Sequence, residues 1–169
     1  MKAPGLSAPA RKRAEPSLAS TDVIGLQIAA LPLKRDGKGR MKVLMVTSRD
    51  TGRWVMPKGW MMNGKKPWAA AEIEALEEAG AEGKIGKVGI GAYHYDKIMD
   101  DGQAMPCRVT VYPMQVSKLK RKWKERDQRK RRWFRLRAAA SRVAEQELAD
   151  LLLKLERKNM PLGSLTKAS

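Results

Sequence analysis

The sequence WVMPKGWMMNGKKPWAAAEIEALEEAGA, residues 54–81, decides the fold of this chain. Its first half is rich in proline, glycine and asparagine, which predicts that a strand ends there and a loop follows. Pro67 marks the predicted first residue of a helix, where the missing N–H of proline costs nothing. Ala69–Ala79 contains strong helix formers, and Gly80 stands where a left-handed residue is expected to end the helix. The segment therefore predicts a strand–loop–helix unit.

Three carboxylates of this predicted helix share one face, because Glu74, Glu77 and Glu78 stand at helical spacing. They repel one another, and their position in the C-terminal half of the helix also sets them against the helix dipole. Adjacent positions offer no cation at helical spacing. Mg²⁺ or Mn²⁺ would relieve the repulsion and leave room for substrate phosphates. A solvated acidic face is the alternative, but the preceding Pro-Lys-Gly sequence and the closing glycine favour a metal site.

The segment resembles the Nudix box, the signature of Nudix hydrolases. The pattern of that family has a Gly, five residues, a Glu and seven residues. It ends with Arg-Glu-apolar-any-Glu-Glu-any-Gly-apolar. Here the first Gly, the three downstream Glu positions and the closing Gly-apolar pair are all retained. The matching residues are Gly59, Glu74, Glu77, Glu78, Gly80 and Ala81.

Two positions depart from the pattern, since Lys65 replaces its first Glu and Ile73 replaces its Arg. In the family, the Arg helps to hold the catalytic Glu and the first Glu braces the loop. The joint loss of one basic and one acidic group indicates either a compensated change that spares the metal site or a weakened or lost activity. The retained glutamates favour compensation, because a purely structural descendant would be stabilised by losing them.

The resemblance implies an α/β fold, arranged as an α/β/α sandwich with a mixed sheet. It also implies hydrolysis of a pyrophosphate bond with Mg²⁺, or Mn²⁺, as the cofactor. The expected catalytic residues are Glu74, Glu77 and Glu78. The expected metal ligands are Gly59, through a loop carbonyl, and the same three glutamates. The expected substrate-binding residues are Arg53, Lys58, Lys65, Lys66, Lys97 and Arg108.

The substrate expected from the resemblance is a phosphate-rich small molecule. The sequence at residues 54–60 and the basic end of the domain are most similar to the bacterial branch related to diadenosine polyphosphate and diphosphoinositol polyphosphate phosphohydrolases. A different class stays open, namely a Nudix-fold module that binds a polyphosphate or RNA without cleaving it. Lys65 and Ile73 are the residues that keep this alternative open.

Composition sets further limits. The 169 residues are 43% hydrophobic, which predicts one domain with a substantial core. A formal charge of +17 attracts polyanions such as phosphate-rich molecules. Cys107 is the only cysteine, which rules out an intrachain disulfide. Without a secretory signal or a run of apolar residues long enough to span a bilayer, we expect a cytoplasmic monomer or homodimer without membrane contact.

Three parts of the chain are distinguished by composition. Residues 1–21 combine proline, alanine, serine and basic residues without an apolar period, which predicts a disordered basic tail. Residues 22–157 are predicted to form the Nudix hydrolase domain. Residues 158–169 are predicted to be a flexible C-terminal tail.

Within the domain, apolar runs at 23–33 and 42–47 predict buried strands. An Asp-Gly turn precedes an alternating strand at 108–116, and Pro113 in that strand predicts an edge position or a bulge. Leucines at helical spacing in 145–155 predict a packing helix.

The segment Lys118–Arg137 is the most basic part of the chain. A phosphate-attracting rim and a solvated surface are equally favoured for it, ahead of a nucleic-acid contact through Trp123 and Trp133. Glu125 is a candidate for a further acidic group at the site, although an ion pair with basic neighbours is slightly favoured. His94, the only histidine, is expected to be a packing residue rather than a general base or phosphate contact.

Overall fold

A computed structural model describes residues 23–167, so the predicted tail at 1–21 and the last two residues lie outside the described part. The strands are β1 (Gly25–Arg35), β2 (Met41–Thr47), β3 (Trp54–Val55), β4 (Lys58–Trp60), β5 (Ala81–Ile85), β6 (Gly91–Ile98), β7 (Ala104–Leu119) and β8 (Arg131–Arg135). The helices are α1 (Pro67–Ala79), α2 (Leu136–Arg142), α3 (Gln146–Lys158) and α4 (Leu162–Leu165). None of these helices is both long and apolar enough to cross a bilayer.

These strands form one mixed sheet. Its main path runs β3-β2-β1-β7-β5, while β4 pairs with β1, β6 with β7, and β8 with β2. β1 and β7 run parallel from the pair Gly25–Cys107 to the pair Leu33–Gln115, and all the other pairings are antiparallel. The mixed sheet and the strands predicted at 23–33 and 42–47 are confirmed.

Helices cover both faces of the sheet, because the side chains of a strand alternate between its faces. Along β1, Leu31 and Leu33 belong to the core cluster that α2 and α3 cover. Ile28 and Ala30 belong to the second cluster, which contains the buried alanines of α1. The alternation buries both faces of β1 and confirms the predicted α/β/α sandwich.

Pro113 does not lie at an edge, because β7 pairs with β1 on one side and with β5 and β6 on the other. The edge expectation is therefore wrong. The β6 pairing stops at Val111 and the β5 pairing starts at Met114, so Pro113 faces the interval between two partners. Its carbonyl accepts a hydrogen bond from Gly86 at 2.7 Å, and the missing N–H leaves no ladder bond unmade.

The C-terminal part is packed through Thr166. Residues 158–169 are predicted to be a flexible tail; within this segment α3 ends at Lys158 and α4 follows it. Leu162 is buried within the cluster that α3 covers, and Leu165 packs against that cluster. Burial of these apolar side chains explains why the segment is ordered against the domain.

Helix α1 has the predicted ends. Pro67 occupies its first position, and Gly80 ends it in the left-handed region with φ 64°. The N–H of Gly80 donates to the carbonyl of Leu76 at 3.0 Å. A Cβ at residue 80 would lie 2.9 Å from the ring of Trp123 and from the guanidinium of Arg131. Conformation and packing therefore both require glycine here.

We expect Gly80→Ala to lower the free energy of unfolding by about 2–4 kcal/mol, because it combines left-handed strain with overpacking. The matched control is Gly102→Ala. Gly102 also has positive φ (85°), but a Cβ there meets nothing within 4 Å. Its expected cost is about 1–2 kcal/mol. Urea unfolding measures both changes, and equal losses would contradict a packing role for Trp123 and Arg131.

Candidate active site

A cleft of about 500 Å³ opens where β4 passes α1. Adjacent residues of β4 point to opposite faces of the sheet. Gly59 pairs with Ile28, whose side chain faces α1, whereas Lys58 pairs with Ala29, which faces the other helical layer. The charged residues that line the cleft are Arg49, Asp50, Arg53, Lys58, Glu74, Glu77, Glu78, Asp96, Lys97, Glu125 and Arg129.

The carboxyl group of Glu74 lies directly against Gly59. A Cβ at residue 59 would overlap it, so only glycine allows this approach. Burial, followed by the charge of neighbouring Glu78, raises the pKa of Glu74 to about 8. The first Gly of the box therefore serves to bring a loop backbone against a carboxyl group.

Glu78 is the most enclosed of the three box glutamates, with its side chain 8% exposed. Its Oε1 accepts a hydrogen bond from the backbone N–H of Lys58 at 3.3 Å, and its Oε2 lies 3.5 Å from Arg129. Burial raises the pKa of Glu78, although the charge of Arg129 acts against this rise. Because the pKa of Glu74 is also raised, this pair of carboxyl groups favours binding a proton or a cation over joint ionisation.

The basic segment caps the C-terminal end of α1. Four successive backbone carbonyls, at residues 77–80, each accept a hydrogen bond from it at 2.8–3.1 Å. The donors are the backbone N–H groups of Glu125 and Lys120, the indole of Trp123 and the guanidinium of Arg131. The segment therefore satisfies carbonyls that a helix end leaves without partners, and it supplies positive charge at the negative end of the dipole.

Glu125 makes the expected ion pair and also lines the cleft. Its Oε1 accepts a hydrogen bond from Nε of Arg129 at 2.7 Å. Arg129 also donates to the backbone carbonyl of Thr47 at 3.0 Å, and only 9% of its side chain is exposed. A fourth carboxylate is thus held beside the box glutamates.

The structure gathers most of the predicted site residues in this cleft: Arg53, Lys58, Gly59, Glu74, Glu77, Glu78 and Lys97. Arg53 already has an anionic partner, since its guanidinium lies 2.8 Å from Glu145. The ammonium of Lys58 lies 4.7 Å from the ring centre of Tyr95, and burial lowers the pKa of Lys58. Lys58 and Lys97 are therefore the predicted cations best placed to meet an anion.

Lys65, Lys66 and Arg108 do not line the cleft, and their expected contact with substrate stays a prediction. The two lysines are exposed beside the first turn of α1, away from its carboxylates, and Arg108 is exposed on β7. His94 is also exposed. Its Nδ1 lies 3.0 Å from Glu147, so it joins β6 to α3 and is neither a core residue nor a cleft residue.

The carboxyl groups of the cleft offer some of the ligands that a hard divalent cation needs, but they do not form a complete site. Within residues 23–167, no three Asp, Glu, His or Cys side chains lie close enough to form a ready-made metal site. Glu77 lies 3.6 Å from Lys124, and Glu78 is opposed by Arg129. The adjacent carboxyls of Glu74 and Glu78 are the best-placed donors, because a divalent cation would relieve the repulsion between them.

Sequence reasoning did not single out several residues of the cleft, among them Trp60 and Arg129. Trp60 had a usable signal, since it stands two residues after Lys58 on a strand and must share its face. No such signal marked Arg129, because it lies within a run of basic residues. Only the folded loop shows that this arginine lines the cleft.

Comparisons with known proteins agree with this arrangement. The family model described as the NUDIX domain matches residues 25–155. Human diphosphoinositol polyphosphate phosphohydrolase 3-beta is 33% identical over 99 residues, which cover 57% of this chain and 56% of the human protein. Nudix hydrolase 12, mitochondrial, of Arabidopsis thaliana is 29% identical over 107 residues, or 62% of this chain and 53% of that protein. The chain thus spans about half the length of the curated relatives it matches.

Solved structures share the fold. The Ap4A hydrolase of C. elegans superposes with a TM-score of 0.56 at 17% identity, over 82% of this chain and 100% of that one. The NUDIX domain of Shewanella oneidensis NrtR, complexed with ADP ribose, superposes with a TM-score of 0.61 at 12% identity, over 82% of this chain and 90% of that one. Because the family model covers most of the chain and the box lies in the cleft, the chain belongs to the Nudix family.

Proposed function

We propose that this chain is a divalent-metal-dependent hydrolase that cleaves a pyrophosphate bond in a phosphate-rich small molecule. The observation that carries the proposal is the adjacent pair Glu74 and Glu78, held against the backbone of Gly59 and Lys58 respectively, in a cleft that also contains cationic side chains. Two carboxyl groups held this close disfavour joint ionisation unless a cation joins them. We take Mg²⁺ as the cation, with Mn²⁺ as a substitute.

Different side chains of the cleft have different roles in the proposed hydrolysis. Lys58 and Lys97 bind the phosphate oxygens from the side of β4 opposite to α1, and they offset charge that would repel a nucleophile. Glu74, whose carboxyl group lies against Gly59, accepts the proton of the attacking water once a cation has displaced its own proton. Arg129 holds the carboxyl groups of Glu78 and Glu125 in place. A bound Mg²⁺ supplies positive charge to the phosphates and acidifies water.

The proposed substrate is a dinucleoside polyphosphate in preference to a diphosphoinositol polyphosphate. Both carry adjacent phosphates, and both appear in the names of proteins similar to this chain. Trp60 favours the nucleotide, because this residue is 40% exposed and lines the cleft on the same strand face as Lys58. An aromatic face there offers a stacking surface to a base. A reducing cytoplasm, which keeps the Cys107 thiol free, is the proposed compartment.

Replacing Glu74 or Glu78 by glutamine is expected to lower kcat by at least 100-fold, because each change removes one of the two carboxylates that are proposed to bind the divalent cation. Malachite-green detection of phosphate, with a coupling phosphatase and a panel of dinucleoside polyphosphates and diphosphoinositol polyphosphates, measures turnover with Mg²⁺ and with EDTA. Glu72→Gln is the matched control, since Glu72 is an exposed residue of α1. Binding of these ligands by the wild type without turnover would contradict the proposal.

Stability should fall as pH rises in the metal-free protein. Glu74 has a pKa of about 8 when folded and near the ordinary 4.5 when unfolded, so the folded state binds the extra proton between these values. Stability should therefore be lower at pH 8.5 than at pH 5.5, by on the order of 1–2 kcal/mol, after allowance for partial solvation of the group. Urea unfolding in EDTA measures this slope.

Glu74→Gln is the comparison that isolates this slope from the titration of the other groups. Its stability should fall less than that of the wild type between the two pH values, and Mg²⁺ should stabilise the wild type at pH 8.5 more than the variant. Identical slopes for the two proteins would show that Glu74 is not the group responsible.

Trp60→Ala should raise KM for a dinucleoside polyphosphate by about 5- to 100-fold, because stacking on a base contributes about 1–3 kcal/mol. The variant should leave KM for inorganic tripolyphosphate within twofold, since that substrate has no base. Steady-state kinetics on the two substrates separates the effects. Equal increases for both would indicate that Trp60 shapes the cleft and does not recognise a base.

A further inference from the structure

The buried carboxylates of α1 lack a cation on their own helix. Ile73 precedes Glu74, and the last turn of α1 contains no basic residue. The cation that reaches Glu78 is Arg129, which is 51 residues further along the chain and lies in the loop before β8. Positive charge at this point of the cleft is therefore supplied by the tertiary structure.

Arg129 is fixed by partners from three parts of the fold. Its Nε donates to Glu125 at 2.7 Å, and one terminal nitrogen donates to the carbonyl of Thr47 at the end of β2 at 3.0 Å. The other terminal nitrogen lies 3.5 Å from Oε2 of Glu78 on α1. A planar guanidinium can satisfy such divergent partners at once, whereas the ammonium of lysine is a single point of charge.

Glu125 is held at both ends by this arrangement. Its backbone N–H donates to the carbonyl of Glu77 at 3.0 Å, and its carboxylate accepts from Arg129. Since Arg129 also faces Glu78, it stands between two carboxylates that line the cleft, one from the helix and one from the loop. Its removal would leave these two groups repelling each other with little solvent to screen them.

We propose that Arg129 is a positioning residue that fixes the carboxylate oxygens of Glu78 and Glu125 relative to each other and thereby prepares them for a divalent cation. This inference rests on the proposed function, in which the cleft binds such a cation. The guanidinium is anchored at Thr47 independently of both carboxylates, so the orientation it imposes does not depend on the ligand.

Two variants and a control test this role. Arg129→Met removes the charge and the hydrogen bonds. Arg129→Lys keeps the charge but removes the planar guanidinium that reaches several partners at once. Arg126→Met is the control, because Arg126 is an exposed residue of the same loop. Mn²⁺ affinity is measured by titration of the electron paramagnetic resonance signal. Turnover of the best pyrophosphate substrate is measured at saturating Mg²⁺, and thermal unfolding reports whether each variant is folded.

Arg129→Met should weaken Mn²⁺ binding about tenfold and lower kcat at least 100-fold, with KM within threefold of the wild type. Arg129→Lys should stay folded and bind Mn²⁺ within threefold of the wild type, yet lose at least tenfold in kcat. Arg126→Met should match the wild type in every measurement. This split between kcat and KM is not expected from a general loss of stability.

Unchanged or tighter Mn²⁺ binding by Arg129→Met would overturn the proposal, because it would identify Arg129 as a competitor of the metal. A kcat of Arg129→Lys within twofold of the wild type would also overturn it, since the planar guanidinium would then be unnecessary. If the wild type binds Mn²⁺ but turns over no substrate, the proposed function fails. The Mn²⁺ affinities of the variants then still decide the role of Arg129.

Discussion

The structure depends on negative charge that is confined where little water reaches it. Half-buried Glu74 lies against the backbone of Gly59, Glu78 is buried against the backbone N–H of Lys58, and burial raises the pKa of both. Such a pair is unfavourable for folding unless a proton or a cation joins it. The surrounding elements offset this negative charge. Some of the many basic residues of the chain lie next to these carboxyl groups.

The segment Lys118–Arg137 provides much of this accommodation. It lies over the C-terminal end of α1 and provides donors to four successive carbonyls. It also brings Arg129 beside Glu78. Two interpretations of the segment, a phosphate-attracting rim and a solvated surface, describe only part of it, because its Trp123 and Arg131 stack on each other and pack on Gly80. Residue 73, where the family pattern has an arginine, is isoleucine here, and the structure supplies an arginine from this loop.

Local patterns predicted the parts of the fold that local physics controls. Pro67 and Gly80 mark the ends of α1 through backbone conformation, and continuous apolar runs located the inner strands. Lys65 and Lys66 do not line the cleft, because proximity in sequence to the box does not decide on which side of α1 a side chain lies. Arg129 and the packed Leu162 depend on contacts between distant segments, for which the sequence carries no periodic signal.

Strand β4 is only three residues long, yet it sets the chemistry of both walls of the cleft. Its pairing with Gln27–Ala29 directs Gly59 toward the glutamates and Lys58 with Trp60 away from them. A slip of one residue in this register would exchange the two faces, placing bulky side chains against Glu74. An insertion or deletion of one residue within this short strand would therefore be more damaging than its length suggests, because it would alter both sides of the cleft at once.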